Sequence, residues 1–360
     1  MSNIWCAISS HGLGHAAQII PVLNALGAVL DDVHVILRTT VLSTIFQENL
    51  NVSWELQSMP QDIGCLQRGP LEINIEATWA ASLAFHKTWD ERVSQEVQAM
   101  RQAKVSLVVS NISYLAIASA YHVPCPAVAI ASLSWDQVLK PFLEPSCPDH
   151  RELYERIREE YAKADCLIRL HPGIDMPAFS PMIETGPSFP LAEISSQDVR
   201  KVLELPTADK LVLIAFGGIP LTALPLEQME ACQGYHFLVG GIPLKLSHKR
   251  IHSIDGLTMP FKEIMKQADV VMTKPGYATI TSAVHYGIPV VFVRRYNFAD
   301  EQCLVDYVHR YGRAVELKRD DFESGAWEKS LHEVSTLPVP RERPPKPELE
   351  AAVDVLKDYL

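Results

Sequence analysis

The chain has 360 residues, 48% of them hydrophobic, and a formal net charge of −11. That apolar content suffices for two sizeable cores, and the acidic balance argues against a nucleic-acid partner, which ordinarily meets a basic footprint. No apolar run reaches the roughly 18 residues that a membrane-spanning helix needs, though contact with the inner face of a membrane stays open. The seven cysteines are scattered, odd in number and never spaced Cys-x-x-Cys. With no signal peptide at the N-terminus, the expected setting is reducing and cytoplasmic.

In chain order, residues 4–8 read as a buried strand opening into Ser9-Ser10-His11-Gly12-Leu13-Gly14-His15, with a helix over about 16–30. Strand, glycine loop and helix begin a doubly wound sheet. The dinucleotide fingerprint is incomplete, however. Ala17 stands where its third glycine would fall, and no acidic residue follows the next strand, 33–37. Residues 51–71 are polar and punctuated by Gly and Pro, which predicts a loop. Helical runs over 75–102, a strand over 105–110, a helix over 114–121 and a strand over 127–131 follow. Residues 134–145 read as a loop, 151–163 as an amphipathic helix and 166–170 as a strand. This alternation implies a mostly parallel sheet with helices on both faces.

Between 172 and 206 the chain carries six prolines, the best linker candidate. The α/β pattern then restarts, with strands at 211–216, 237–239, 270–272, 290–293 and 313–317 and glycine pairs at Gly217-Gly218 and Gly240-Gly241. Residues 338–347 are extended and 348–360 form a terminal helix. One unit stands out. A strand at 270–272 breaks at Lys274-Pro275-Gly276-Tyr277 and runs into a helix over 279–286. Helix N-termini favour anions, and Lys274 adds a full charge, so a phosphate suits this turn. The competing reading is an ordinary βαβ turn with a surface lysine. Arg294-Arg295 and Lys318-Arg319 are read as solvated faces.

These residues together resemble the GT-B glycosyltransferases, α/β proteins of two tandem Rossmann-like domains facing each other across a cleft. The likeness is to the branch of the lipid II GlcNAc transferase and, more closely, to the glycosyltransferase-like N-terminal region of L-arabinokinases. It is carried by His11-Gly-Leu-Gly-His15, Phe216-Gly217-Gly218, Gly276-Tyr277-Ala278-Thr279 and Phe292-Val293-Arg294-Arg295, in that order over essentially the whole chain. It implies an acceptor domain over 1–185, a nucleotide-sugar domain over 186–340, and a terminal helix, 341–360, packed back on the first domain.

The resemblance also implies roles. A nucleotide diphosphate sugar, expected to be a UDP-sugar, would rest its diphosphate on Gly276, Tyr277, Ala278 and Thr279. Gly217 and Gly218 would allow close backbone approach, as would Gly12 and Gly14 on the acceptor side. Lys274 would neutralise the leaving group without a metal or other cofactor. Asp300, Glu301 and Gln302 match the segment that hydrogen-bonds sugar hydroxyls, or else form an acidic helix start. His15 matches the general base of inverting members; the alternative is a loop-orienting or capping residue. His11 is read as a loop hydrogen-bonder. A metal held by His11 and His15 is disfavoured because Gly12 and Gly14 keep their i, i+4 spacing out of a helix.

One departure stands out: Ser282 occupies the position where such proteins carry a ribose-gripping glutamate. Three readings therefore remain. The first is an inverting, metal-independent glycosyltransferase. The others are a non-catalytic sugar-nucleotide binder and a nucleotide-sugar 2-epimerase, which would need acidic cleft residues that cannot be picked out. The acceptor would contact residues 51–71 and 134–150. Trp79, Trp89 and Trp135 are core anchors or sugar-stacking platforms.

Overall fold

Continuous β-branched and aliphatic runs form strands buried on both faces, the mark of parallel sheets covered by helices. The computed structural model describes residues 2–192, 197–218, 221, 223–240, 248–347 and 349–360. Among these, the first sheet comprises β1 (Ser2–Ile8), β2 (Val33–Arg38), β3 (Ser53–Leu56), β4 (Val105–Asn111), β5 (Ala127–Ala131), β6 (Cys166–Leu170) and β7 (Met182–Thr185). The second comprises β8 (Lys210–Ala215), β9 (Tyr235–Val239), β10 (Ile251–Ser253), β11 (Val270–Thr273), β12 (Val290–Phe292) and β13 (Ala314–Glu316). Their orders are β3-β2-β1-β4-β5-β6-β7 and β10-β9-β8-β11-β12-β13, all parallel. The chain is thus an α/β protein with two doubly wound sheets.

Each sheet reverses its strand order once, between β1 and β4 and between β8 and β11. At such a switch point the loops leaving neighbouring strands part to opposite faces and open a crevice at the carboxyl edge. The His11–His15 loop leaves β1, the Gly217-Gly218 loop leaves β8 and Lys274 leaves β11. All of these loops therefore start at a switch point.

The helix Leu349–Asp358 returns to the first sheet. Its Ala352, Val353 and Leu356 are buried in one cluster with Ile19, Leu23 and Leu26 of the helix Gly14–Val29. Fully burying a side chain such as Val or Leu contributes roughly 1.5–3 kcal/mol, which explains why the segment crosses back. No helix among the described residues is long and apolar enough to cross a membrane.

Several sequence expectations change. The 51–71 loop contains β3. The 134–145 loop contains the helix Trp135–Leu139, and the 172–206 linker contains β7 and the short helix Val199–Val202. β10 was not expected at all. Gly241, paired with Gly240 in the sequence reading, and Glu348, at the start of the terminal helix, lie outside the described residues.

Candidate functional site

On the first domain, β1 runs out at Ile8 and the chain turns over Ser9 to reach the helix Gly14–Val29. Ser9 Oγ donates to Asp62 Oδ1 (2.8 Å) and accepts from the His11 N–H (3.3 Å), so the loop is pinned to residues 61–65. Burial pushes the Asp62 carboxyl up to about 6 against the pull of the Ser9 hydroxyl. The Cys65 N–H donates to His11 Nδ1 (3.2 Å). This seat needs a glycine at 64, whose φ is +62° and where a Cβ would lie 2.8 Å from that of His11. Gly64→Ala is expected to lower stability by about 1–3 kcal/mol, strain and clash acting together, as a drop in the denaturant midpoint with the dependence on denaturant unchanged. A variant of unaltered midpoint would show that the loop yields freely.

His15 is buried, with Nδ1 2.7 Å from Asn111 Oδ1 at the end of β4. Asn111 Nδ2 donates to Gln18 Oε1 (3.0 Å), and Gln18 Nε2 donates to Ser132 Oγ (2.8 Å). With its amide nitrogen so engaged, Asn111 presents its oxygen to His15, an arrangement that suits an imidazole protonated on Nδ1. Burial lowers the His15 pKa, partly offset by the Asn111 hydrogen bond and the charge of Asp300. His11 is lowered to about 3, by burial and by the nearby His15, Lys274 and Arg295. The Trp135 ring packs 5.3 Å from His11 and 5.7 Å from His15 between centroids.

On the second domain, Gly276 caps the helix Tyr277–His285 without a side-chain hydrogen bond. Its first-turn N–H groups are the ones that an α-helix leaves without an internal partner. The helix Gly14–Val29 likewise begins with no side-chain cap, at Leu13. Lys274 stands beside Gly276, and burial with the adjacent Arg295 charge brings its ammonium down to about 7, with Asp300 and Glu301 pulling the other way. Gly217 has φ +75°, and a Cβ on Gly218 would come within 3.0 Å of Leu13 Cγ, so a glycine there lets the two domains' loops meet.

These pieces enclose a cavity of about 630 Å³ between the domains. It is lined by His15, Gly12 and Gly14 from the first domain, by Gly217 and Gly218, by Lys274 and Gly276, by Tyr277, Ala278 and Thr279 of the helix start, and by Ser282 and Asp300. Size and mixed lining suit a small organic ligand with an anionic group. Glu301 and Gln302, expected in the sugar site, are not among its lining residues. A helix begins at Glu301, so successive side chains diverge by about 100° and only Asp300 faces inward. Glu301 is buried instead, accepting from the N–H groups of Arg295 (2.7 Å) and Tyr296 (3.0 Å). Gln302 is exposed and accepts from Arg294 (3.2 Å).

Tyr277 lines the cavity, but its hydroxyl is occupied. It donates to the His171 carbonyl (3.0 Å) and accepts from the Ser188 N–H (3.2 Å), while Ser188 Oγ donates to the Gln18 carbonyl (2.6 Å). Tyr277 thereby ties the two domains together. Trp79 and Trp89 are buried in the core with Phe85; Trp135 is buried too but reaches the cavity.

The reading of Arg295 as part of a solvated face is corrected. Its guanidinium is buried, lines the cavity, stacks 3.8 Å from the centre of the Phe298 ring and is held by Asp300 (3.1 Å) and Glu301 (3.3 Å). Asn111, Gln18 and Ser132 were also missed. The strand 105–110 was visible, and the switch-point rule pointed to whatever polar residue ended it. That residue is Asn111.

No protein-family model matches the chain. It is 27% identical over 336 residues to the L-arabinokinase of Arabidopsis thaliana, an alignment that covers 92% of this chain and 32% of that protein, so the chain spans about a third of its relative. Among solved structures, it resembles the glycotransferase of kitacinnamycin with TM-score 0.67 and 15% identity, covering 99% of both chains. It resembles the calicheamicin glycosyltransferase CalG4 with TM-score 0.65 and 14% identity, covering all of this chain and 98% of that one. For Phytolacca americana UGT2, solved with UDP-2fluoro-glucose and pterostilbene, the values are 0.60 and 14%, covering all of this chain and 94% of that one. With two parallel sheets, facing switch points and end-to-end likeness to these structures, the chain has the GT-B glycosyltransferase fold.

Proposed function

We propose that the protein is an inverting, metal-independent glycosyltransferase that moves a sugar from a nucleoside diphosphate sugar, most simply a UDP-sugar, to an acceptor hydroxyl. The observation that carries this reading is the meeting, in one cavity, of an uncapped helix N-terminus with Lys274 and a histidine engaged through Nδ1 by Asn111. The diphosphate lies on the N–H groups of residues 277–279 with Lys274 beside it. His15 Nε2 takes the acceptor proton while the acceptor oxygen attacks the anomeric carbon from the side opposite the diphosphate. The bond from that carbon to the diphosphate oxygen breaks, and the electron pair leaves with the nucleotide. Lys274 and the helix dipole offset the charge that develops there. Asp300 meets sugar hydroxyls. The UDP-glucose analogue bound by UGT2 supports the choice of donor class by likeness of fold. Seven free thiols suit a reducing, cytoplasmic compartment.

Ser282 favours a second reading, a sugar-nucleotide binder without transfer. Calorimetry with UDP, GDP and TDP, followed by donor hydrolysis, separates the two. Donor turnover supports the first reading over the second, and no binding to any of the three removes both. Because Ser282 lines the cavity on the helix that starts at the phosphate site, Ser282→Glu is expected to tighten UDP by about tenfold, the worth of one charge-assisted hydrogen bond of roughly 1.5 kcal/mol. An unchanged dissociation constant would put the ribose elsewhere.

A further inference from the structure

Arg295 carries more donors than its partners use. A guanidinium holds five N–H groups in one plane, as a rigid fork. Nε donates to Glu301 Oε2 (3.3 Å) and Nη2 to Asp300 Oδ1 (3.1 Å), while the Phe298 ring covers one face at 3.8 Å. Among the described residues Nη1 has no hydrogen-bond partner, and Nη2 keeps a second N–H. The side chain is only 5% exposed, yet it lines the cavity. Its held edge and covered face leave the Nη1–Nη2 edge as the part that can meet a ligand there. Interior donors without an acceptor are rare, because a buried unpaired polar group is costly.

We propose that the Nη1–Nη2 edge of Arg295 is a second oxyanion subsite, separate from Lys274 and the helix start, that takes two oxygens of one phosphate or carboxylate group on the donor. The proposal rests on the nucleotide-sugar reading and names a further contact within it. Lys274 is a point charge, whereas the fork of an arginine matches a planar or tetrahedral oxyanion through two parallel N–H bonds. Asp300 and Glu301 offset the Arg295 charge when the cavity is empty and hold the fork in place, so little order is lost when an oxyanion arrives. Two groups of a nucleotide sugar carry this chemistry. One is the diphosphate, since Arg295 lies near enough to Lys274 to lower its pKa. The other is the carboxylate of a uronic acid sugar, because Arg295 is bonded to Asp300, the residue that would meet the sugar.

The test is calorimetry on the full chain near neutral pH with UDP, UDP-glucose, UDP-glucuronate and inorganic pyrophosphate. Arg295→Lys keeps a charge for Asp300 and Glu301 but loses the fork. The double substitution Arg295→Gln, Glu301→Gln removes the cation together with one carboxylate that it would strand, and the denaturant midpoint of each variant shows that it folds. Both variants are expected to weaken binding by about 10–100-fold, the worth of a charge-assisted pair. A loss shared by all four probes assigns the subsite to phosphate, and a loss confined to UDP-glucuronate assigns it to a sugar carboxylate. Affinities equal to wild type for every probe overturn the proposal and leave the nucleotide-sugar reading standing. Pyrophosphate that binds through Arg295 in a protein indifferent to UDP keeps the subsite and removes that reading instead. A wild-type chain that binds none of the probes overturns both.

Discussion

His15→Gln is expected to cut transfer by roughly 10²–10⁴-fold, the usual contribution of a positioned general base, while leaving UDP affinity nearly unchanged. The two effects separate because the base and the phosphate site belong to different domains. His15 opens the helix after β1, whereas the proposed diphosphate site is the start of the helix after β11. Glutamine cannot accept and hold the acceptor proton, and among the described residues lining the cavity His11 is the one other imidazole. His11 lines it as well, but its Nδ1 is committed to the Cys65 N–H. Steady-state kinetics with calorimetry on the same preparation checks both halves. Transfer that survives at the wild-type rate would assign the base elsewhere, and a parallel loss of UDP affinity would mean that the substitution disturbs the fold.

The second large effect concerns Lys274. Removing its charge with Lys274→Met is expected to weaken UDP binding by about 2–5 kcal/mol, the range for truncating one partner of a buried charge pair. The pH dependence is more telling. In the free protein Lys274 titrates near 7, and only the ammonium attracts a diphosphate. Below about pH 7 the Lys274 contribution to affinity is therefore flat. Above it, binding must take up a proton, and affinity falls by up to tenfold per pH unit until the pKa of the lysine in the complex is reached. Calorimetry in buffers of different ionisation enthalpy measures that uptake. Lys274→Arg, charged throughout, should abolish the slope. A slope that persists in Lys274→Met would assign the titration to another group. The same depressed pKa sets a stability trend in the free protein. The unfolded chain holds the Lys274 proton up to about 10.5 and the folded chain only to about 7, so this residue's contribution makes the fold more stable as pH rises between those values.

The parts of the fold legible in the sequence are those where burial is uniform. β5 and β6 lie inside the first sheet, and their apolar runs coincide with the expected strands. β3, β7 and β10 escaped notice, and all three are edge strands. An edge strand is covered on fewer sides, so its sequence loses the apolar continuity that marks an inner strand. Ser53–Leu56 alternates exposed and half-buried residues, and Met182–Thr185 buries only Thr185. In the site, glycines and lone charged residues at strand ends were legible because local geometry restricts them. Arg295 and Asn111 were not, since the meaning of each depends on partners brought together by folding. Arg295 looked like surface until Asp300, Glu301 and the Phe298 ring enclosed it. For Glu301 and Gln302 the alternative reading, an acidic helix start, is the one that the structure matches, because a matching sequence position does not specify which way a helix turns its side chains.

The terminal helix has a mechanical consequence. The chain passes from the first sheet to the second after β7 and returns to lie on the helix Gly14–Val29 through Leu349–Asp358. Two bodies joined at one point can swivel about any axis, but two separated attachments favour rotation about the line through both. The returning helix and the Tyr277 hydroxyl thus add two ties to the one that the linker makes, and a ligand that touches both domains would bind against a frame that those ties already hold.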